Sequence, residues 1–197
     1  VDRDTTKAGR ALAVGELRTL VHVGKLWARE PEPEGTLGRR ALAVLALMYG
    51  AGLRRTEVAG VLTANVDLEG GKIALVGKRN KRRIAYLAPG WGTFVQQWAG
   101  SADPSPRLIG VRSPESVGRI IDALQGRAKI APFTPHDLRR SFGTHLLDAG
   151  KDLSLARDLL GHDDIRTTIL YDRRGEDELR EAVADLPGPE DEVEDKE

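Results

Sequence analysis

The 197-residue sequence contains no cysteine. Disulfide cross-links and thiolate-held metals are therefore excluded, and burial and hydrogen bonding must hold the fold. Aromatic residues are scarce, with three each of Trp, Tyr and Phe. No apolar run approaches the roughly 20 residues that span a bilayer, so no membrane is expected as a partner. The N-terminal VDRDTTKAGR lacks the layout of a signal peptide, and a cytoplasmic location is expected. There is no GxxxxGK[ST] phosphate loop, no GxSxG elbow and no Asp/Glu/His cluster with metal-ligand spacing. Neither a metal nor a cofactor is expected.

Net charge is also missing, but only in sum. The chain has 30 basic and 30 acidic residues. Residues 176–197 hold eleven of the acids against two bases, which leaves residues 1–175 with a net charge of +9. A basic body ahead of an acidic tail points to a polyanionic partner, or to no more than a solvated surface.

What is present is helical periodicity, interrupted once. Residues 1–10 are polar and are expected to form a loose linker. Apolar residues recur at helical spacing from Val14 to Trp27. A loop is expected over 28–38, where Pro31, Pro33 and Gly35 fall. Leu37–Tyr49 is apolar nearly throughout, as a central buried helix would be, and Gly50 and Gly52 end it. A short helix is expected over Arg55–Leu62. Two β-type runs follow, from Gly71 and from Arg83, joined by a turn rich in Gly, Asn and Lys. They predict a hairpin or small sheet. Further helices are expected over 90–98, 114–129, 134–149, 152–160 and about 176–186. Residues 187–197 are expected to be an acidic, disordered tail. The fold class is α+β, mainly α-helical, with one small antiparallel β-sheet.

Four stretches carry chemistry. In AGLRRTEV, Arg54 follows a long apolar helix and two glycines, with Glu57 three residues on. It either pairs with that acid or serves a ligand. GKRNKRR (77–83) lies within a run of six bases without an acid from Lys72 to Arg83, and Lys78 opens its turn. Such a ribbon is either a solvated tip or a contact for DNA phosphates. In TPHDLRRSF, Thr134 is the expected N-cap, Pro135 the first helical residue and Asp137 a first-turn acid. His136 and Arg139 then share one face, separate from an apolar stripe of Leu138, Phe142, Leu146 and Ala149. His145 lies beside that stripe and is expected to be a satisfied core histidine. In LLGHDDIRTTILY, Gly161 ends a helix, His162 sits in the turn and Tyr171 lies nine residues beyond it. Alone, Tyr171 could be a packing residue. Together these groups suit phosphoryl transfer without metal. Arginines neutralise non-bridging oxygens, an acid and a base handle protons, and a phenol is the nucleophile.

AGLRRTEV, GKRNKRR, TPHDLRRSF and LLGHDDIRTTILY, in that order, resemble the tyrosine recombinases, the phage integrase and Xer-type family. The resemblance runs from about residue 12 to 180 and covers that family's C-terminal catalytic domain. It implies a catalytic domain over 11–186, with about 176–186 as the exchange helix that docks on a neighbouring protomer. It also implies a core-binding domain that this sequence does not contain. By the same resemblance Tyr171 is the nucleophile, forming a 3′-phosphotyrosyl link, and Arg54 and Arg139 grip the phosphate. Lys78 protonates the leaving 5′-oxygen, His136 moves the tyrosine proton, His162 hydrogen-bonds the phosphate and Glu57 supports Arg54. Arg79, Lys81, Arg82, Arg83 and Arg140 are the expected DNA contacts. Arg79 replaces a frequent Gly, and Arg140 a frequent His. Expected partners are double-stranded DNA and, on it, three further copies in a homo-tetramer; without DNA a monomer is expected. The setting implied is bacterial and nucleoid-associated. Competing readings are a type IB topoisomerase-like nicking-closing enzyme and a catalytically silent DNA-binding accessory module.

Overall fold

The centre of the molecule is the apolar helix α2, Glu34–Leu45, which widens into a π-helical turn over Ala46–Gly50. Every residue from Ala41 to Leu53 is buried and none of them bears a charge, so this segment threads the core. The computed structural model describes residues 9–76, 82–101, 105–161 and 176–189. Helix α1, Val14–Ala28, lays Leu17, Leu20, Val21 and Trp27 against α2. Helix α3, Arg55–Gly60, follows the two glycines. A three-stranded antiparallel sheet comes next, in the order β1 (Val66–Asp67), β2 (Lys72–Val76), β3 (Arg82–Tyr86). Helices α4 (Gly92–Ser101) and α5 (Pro114–Ala128) pack on α2. Helices α6 (Pro135–Asp148), α7 (Leu153–Leu160) and α8 (Glu176–Ala184) complete the described part. The class is α+β, mainly helical with a small antiparallel sheet, as the sequence pattern predicts. No helix among the described residues is long and apolar enough to cross a membrane.

The helices start where local chemistry predicts. Ser113 Oγ accepts from the Ser116 amide, and Asp152 Oδ1 accepts from the Leu155 amide. In α1, α3 and α6 the third residue is an acid that accepts the amide of the residue before the helix. These pairs are Glu16 with Ala13, Glu57 with Arg54 and Asp137 with Thr134. Each satisfies a donor that the helix itself leaves orphaned.

Several expectations need correction. The loop expected over 28–38 is shorter, because α2 begins at Glu34. Gly35 lies inside the helix, where a Cβ would meet the Glu30 carbonyl oxygen at 2.5 Å. The proline-rich text marks a helix start there, since proline cannot interrupt hydrogen bonds that a first turn does not make. The expected hairpin or small sheet is a three-stranded sheet, as the second alternative has it, with a β1 too short to show a period of two. Ala149 is exposed beyond the end of α6, so the buried stripe is Leu138, Phe142 and Leu146. Gly9 and Arg10 are fixed rather than loose. The Arg10 side chain bonds Glu16 and the carbonyls of Ala131 and Pro132, and its amide donates to Asp137 Oδ1 at 3.0 Å. The start of the tail is packed too. Pro187 O accepts from Trp91 Nε1 at 3.1 Å, and Pro189 is buried near Gly90. In the single chain α8 covers its own body, burying Ala182, Val183 and Leu186 beside α7 and β3, and Lys151 pairs with Asp185.

His145 is the satisfied core histidine the sequence suggests. It is 8% exposed, and its Nδ1 lies 2.8 Å from the Tyr49 hydroxyl. Burial pushes His145 down and Tyr49 up from their usual pKa values, so both stay neutral near pH 7. Tyr49→Phe strands a buried nitrogen and is expected to cost about 1–3 kcal/mol. In a chain of this size that is roughly 2–4 °C of Tm per kcal/mol, readable by calorimetry. A wild-type Tm would show the bond to be dispensable.

Candidate active site

The site is built from four pieces: the α3 start, strand β3, the first turn of α6 and the C-terminal end of α7. Burying Leu138, Phe142 and Leu146 contributes about 1.5–3 kcal/mol each and fixes the rotation of α6. That rotation does not present His136 and Arg139 equally. His136 is exposed, while Arg139 is only 4% exposed. The Arg139 fork is held at both ends: Nη1 donates to the Gly52 carbonyl and Nη2 to the Leu160 carbonyl. Gly52 can offer its carbonyl because its φ is +61°, and a Cβ there would meet the Phe142 ring at 2.9 Å.

Arg54 reaches the same place from the other side. Its Nη2 donates to Gly161 O at 2.7 Å, one residue beyond the carbonyl that Arg139 takes. Its Nη1 and its amide both bond Glu57, at 3.1 and 2.7 Å. Of the two alternatives raised for Arg54, the pairing with its own acid is the one observed. Gly161 closes α7 in the left-handed region at φ +60°, as its sequence position predicts.

A third arginine joins them. Arg83 Nε and Nη2 donate to Glu57 Oε1 and Oε2 at 3.1 and 2.9 Å, and Nη1 donates to Leu159 O at 3.3 Å. Arg83 was expected among the DNA contacts, yet its side chain turns inward and is 19% exposed. The sheet register explains this, since Arg83 pairs with Leu75 on the buried face. Arg82, its neighbour, is exposed on the other face, and Arg140 is exposed on α6.

Three guanidinium groups thus surround one carboxylate, leaving a local excess of two positive charges. Burial would raise the Glu57 pKa, but bonds from Arg83 and Arg54 hold it below the usual glutamate range. Arg139 is pushed down to about 10, first by burial and then by repulsion from Arg54. It remains charged at neutral pH. An anion entering beside it would relieve both penalties. His136, Arg140, Phe133, Thr134 and Arg10 line a cavity of about 430 Å³ at the start of α6. Lys78, Arg79, Lys81, His162 and Tyr171 lie outside the described residues. Among the described residues no group of three or more His, Asp or Glu is placed to hold a metal ion.

A sequence model of the phage integrase family matches residues 22–177. The chain belongs to the phage integrase family. All six residues that the resemblance assigns to catalysis fall inside that span. Among relatives of this family, the tyrosine recombinase XerC of Vibrio vulnificus is 39% identical over 171 residues, 81% of this chain and 52% of that protein. Tyrosine recombinase XerD of Neisseria meningitidis serogroup B is 33% identical over 154 residues, 72% of this chain and 53% of that protein. The integrase from mycobacterium phage Brujita has the same fold, with a TM-score of 0.71 at 25% identity over 93% of this chain and 60% of that one. The XerA recombinase gives a TM-score of 0.67 at 24% identity, over 89% of this chain and 64% of that one. This chain spans about half the length of the curated relatives it matches.

Proposed function

We propose that this chain is the catalytic unit of a site-specific recombinase that breaks and rejoins double-stranded DNA. The observation that carries the reading is the convergence of Arg54 and Arg139 on consecutive carbonyls, Gly161 and Leu160, directly before His162. Two forks so placed can grip the non-bridging oxygens of one phosphate and stabilise the charge that grows there in the transition state. The Tyr171 phenol oxygen attacks phosphorus, and the bond from phosphorus to the 5′-oxygen breaks. His136 takes the phenol proton and Lys78 supplies one to the leaving 5′-oxygen. The product is a 3′-phosphotyrosyl link and a free 5′-hydroxyl. Attack by another strand's 5′-hydroxyl reverses the step, so neither ATP nor metal is consumed. Arg79, Lys81, Arg82 and Arg140 hold flanking phosphates, and affinity falls steeply with salt. On DNA four copies act together, each passing its α8 to a neighbour.

The solved relatives support DNA as the partner: one is a XerH recombinase bound to its difH substrate and another a lambda integrase dimer bound to a core site. The test is covalent capture. Incubated with a randomised library of nicked duplexes, the chain is expected to form adducts that survive denaturation, and Tyr171→Phe abolishes them. No adduct from the wild type on any duplex overturns the reading. Specific binding without adducts supports an accessory role instead, and site-independent relaxation of supercoiled plasmid supports a topoisomerase-like one.

A further inference from the structure

We infer that Arg83 is a positioning residue of the cleavage site, which ties the β2–β3 hairpin to Glu57 and to the end of α7, and does not grip DNA. The inference rests on the recombinase reading above for its chemistry, but on this chain's own geometry for its contacts. Arg83 joins three parts that must agree if the reaction is to occur. Strand β3 follows in sequence the segment that contains Lys78. Glu57 holds Arg54. The Leu159 carbonyl belongs to the last turn of α7, which hands the chain to His162 and Tyr171.

Three of its five guanidinium hydrogens are engaged by these partners, two of them in a side-on pair with Glu57. With Arg54 taking the remaining positions, both Glu57 oxygens accept two bonds each. The fit around the side chain is close. A Cβ at Gly161 would lie 2.8 Å from Arg83 Cδ and 2.9 Å from its Nε. Arg83 therefore packs directly under the residue whose carbonyl Arg54 holds. The exposed neighbour Arg82 provides the contrast: same strand, same charge, opposite face.

Removing Arg83 frees Glu57 to rotate and loosens the end of α7, so the arginine pair and the tyrosine segment lose their common frame. A misplacement of about 1 Å can slow a positioned reaction about a hundredfold. The decisive comparison uses Arg83→Gln, Arg83→Lys and Arg82→Gln with a nicked duplex recovered by the capture experiment. At saturating protein, Arg83→Gln is expected to form adduct about ten- to a hundredfold more slowly, with affinity and its salt dependence unchanged. Arg82→Gln is expected to weaken binding and to reduce the salt slope by about one. Arg83→Lys keeps the charge but not the fork, and is expected to stay slow. If Arg83→Gln does not fold at the assay temperature, Arg83→Lys makes the same distinction.

An arm independent of activity is the acid limb of thermal stability. Glu57 contributes stability above the usual glutamate pKa that is lost as pH falls. Without Arg83 there is less to lose, so the Arg83→Gln melting curve flattens on the acid side. Reduced affinity with a smaller salt slope and wild-type cleavage of bound DNA would overturn the inference, as would full rescue by lysine. If the wild type forms no adduct at all, the recombinase reading fails, and the acid limb alone decides whether Arg83 and Glu57 are linked.

Discussion

Arg139→Lys is expected to slow covalent adduct formation about a hundred- to a thousandfold at saturating DNA, the scale of losing one preorganised charge-stabilising donor. The wild-type fork spans two carbonyls, Gly52 and Leu160, that lie on separate elements. A lysine ammonium donates from a single point and cannot hold both while facing a phosphate. It also enters a place that already drives a guanidinium down to about 10 through burial and the nearby Arg54. An ammonium starts from about 10.4 and is more readily neutralised there. The variant should therefore recover activity as pH falls, because lysine is charged below its depressed pKa and neutral above it. Single-turnover rates from pH 6 to 9 measure this. Wild-type rates across that range would show that Arg139 supplies no oriented charge.

The sequence makes the helices legible because their signals are local. Thr134, Pro135 and Asp137 mark the start of α6, Asp152 and Gly161 bracket α7, and Glu57 follows Arg54 at a spacing of three. Each signal acts within about one turn of its own position. The third arginine is not legible in this way. Arg83 is 26 residues from Glu57 and 76 from Leu159, and only the folded chain brings them together. The one available signal is the two-residue alternation of β3. Arg83, Ala85 and Leu87 fall on one face and Arg82, Ile84 and Tyr86 on the other. Ile84 misleads, since it is 43% exposed and looks like the inward residue. The basic run masks the parity further, because six bases without an acid between Lys72 and Arg83 suggest a uniform contact surface. The clasp of Arg10 across Glu16, Ala131 and Pro132 is missed for the same reason, as is the docking of Pro187 on Trp91. Both join chain ends to the body across more than 90 residues.

Glu57→Ala is expected to be the most destabilising single change in the site. The carboxylate is 11% exposed and carries four hydrogen bonds, from the Arg54 amide, Arg54 Nη1, Arg83 Nε and Arg83 Nη2. Its removal leaves three neighbouring guanidinium groups with no counter-charge. Breaking a buried pair by deleting one partner costs about 3–5 kcal/mol. The lower end applies here, because Arg54 is 37% exposed and can turn to water. Arg139 cannot, since it is 4% exposed, and it feels the loss as added repulsion. A fall in Tm of roughly 2–4 °C per kcal/mol follows. The pH dependence separates charge from packing. Glu57 has a folded pKa below its unfolded one, so its contribution is complete above the unfolded value of about 4.3 and is lost as pH falls through the folded value. Wild type and variant should therefore differ most near neutral pH and converge in acid. A gap that persists unchanged into acid would mean that Glu57 acts through its shape. Bound phosphate offers a second check, since an anion beside Arg54 and Arg139 supplies part of the missing counter-charge. Inorganic phosphate should raise the Tm of Glu57→Ala more than that of the wild type. Equal shifts would place the excess positive charge away from the site.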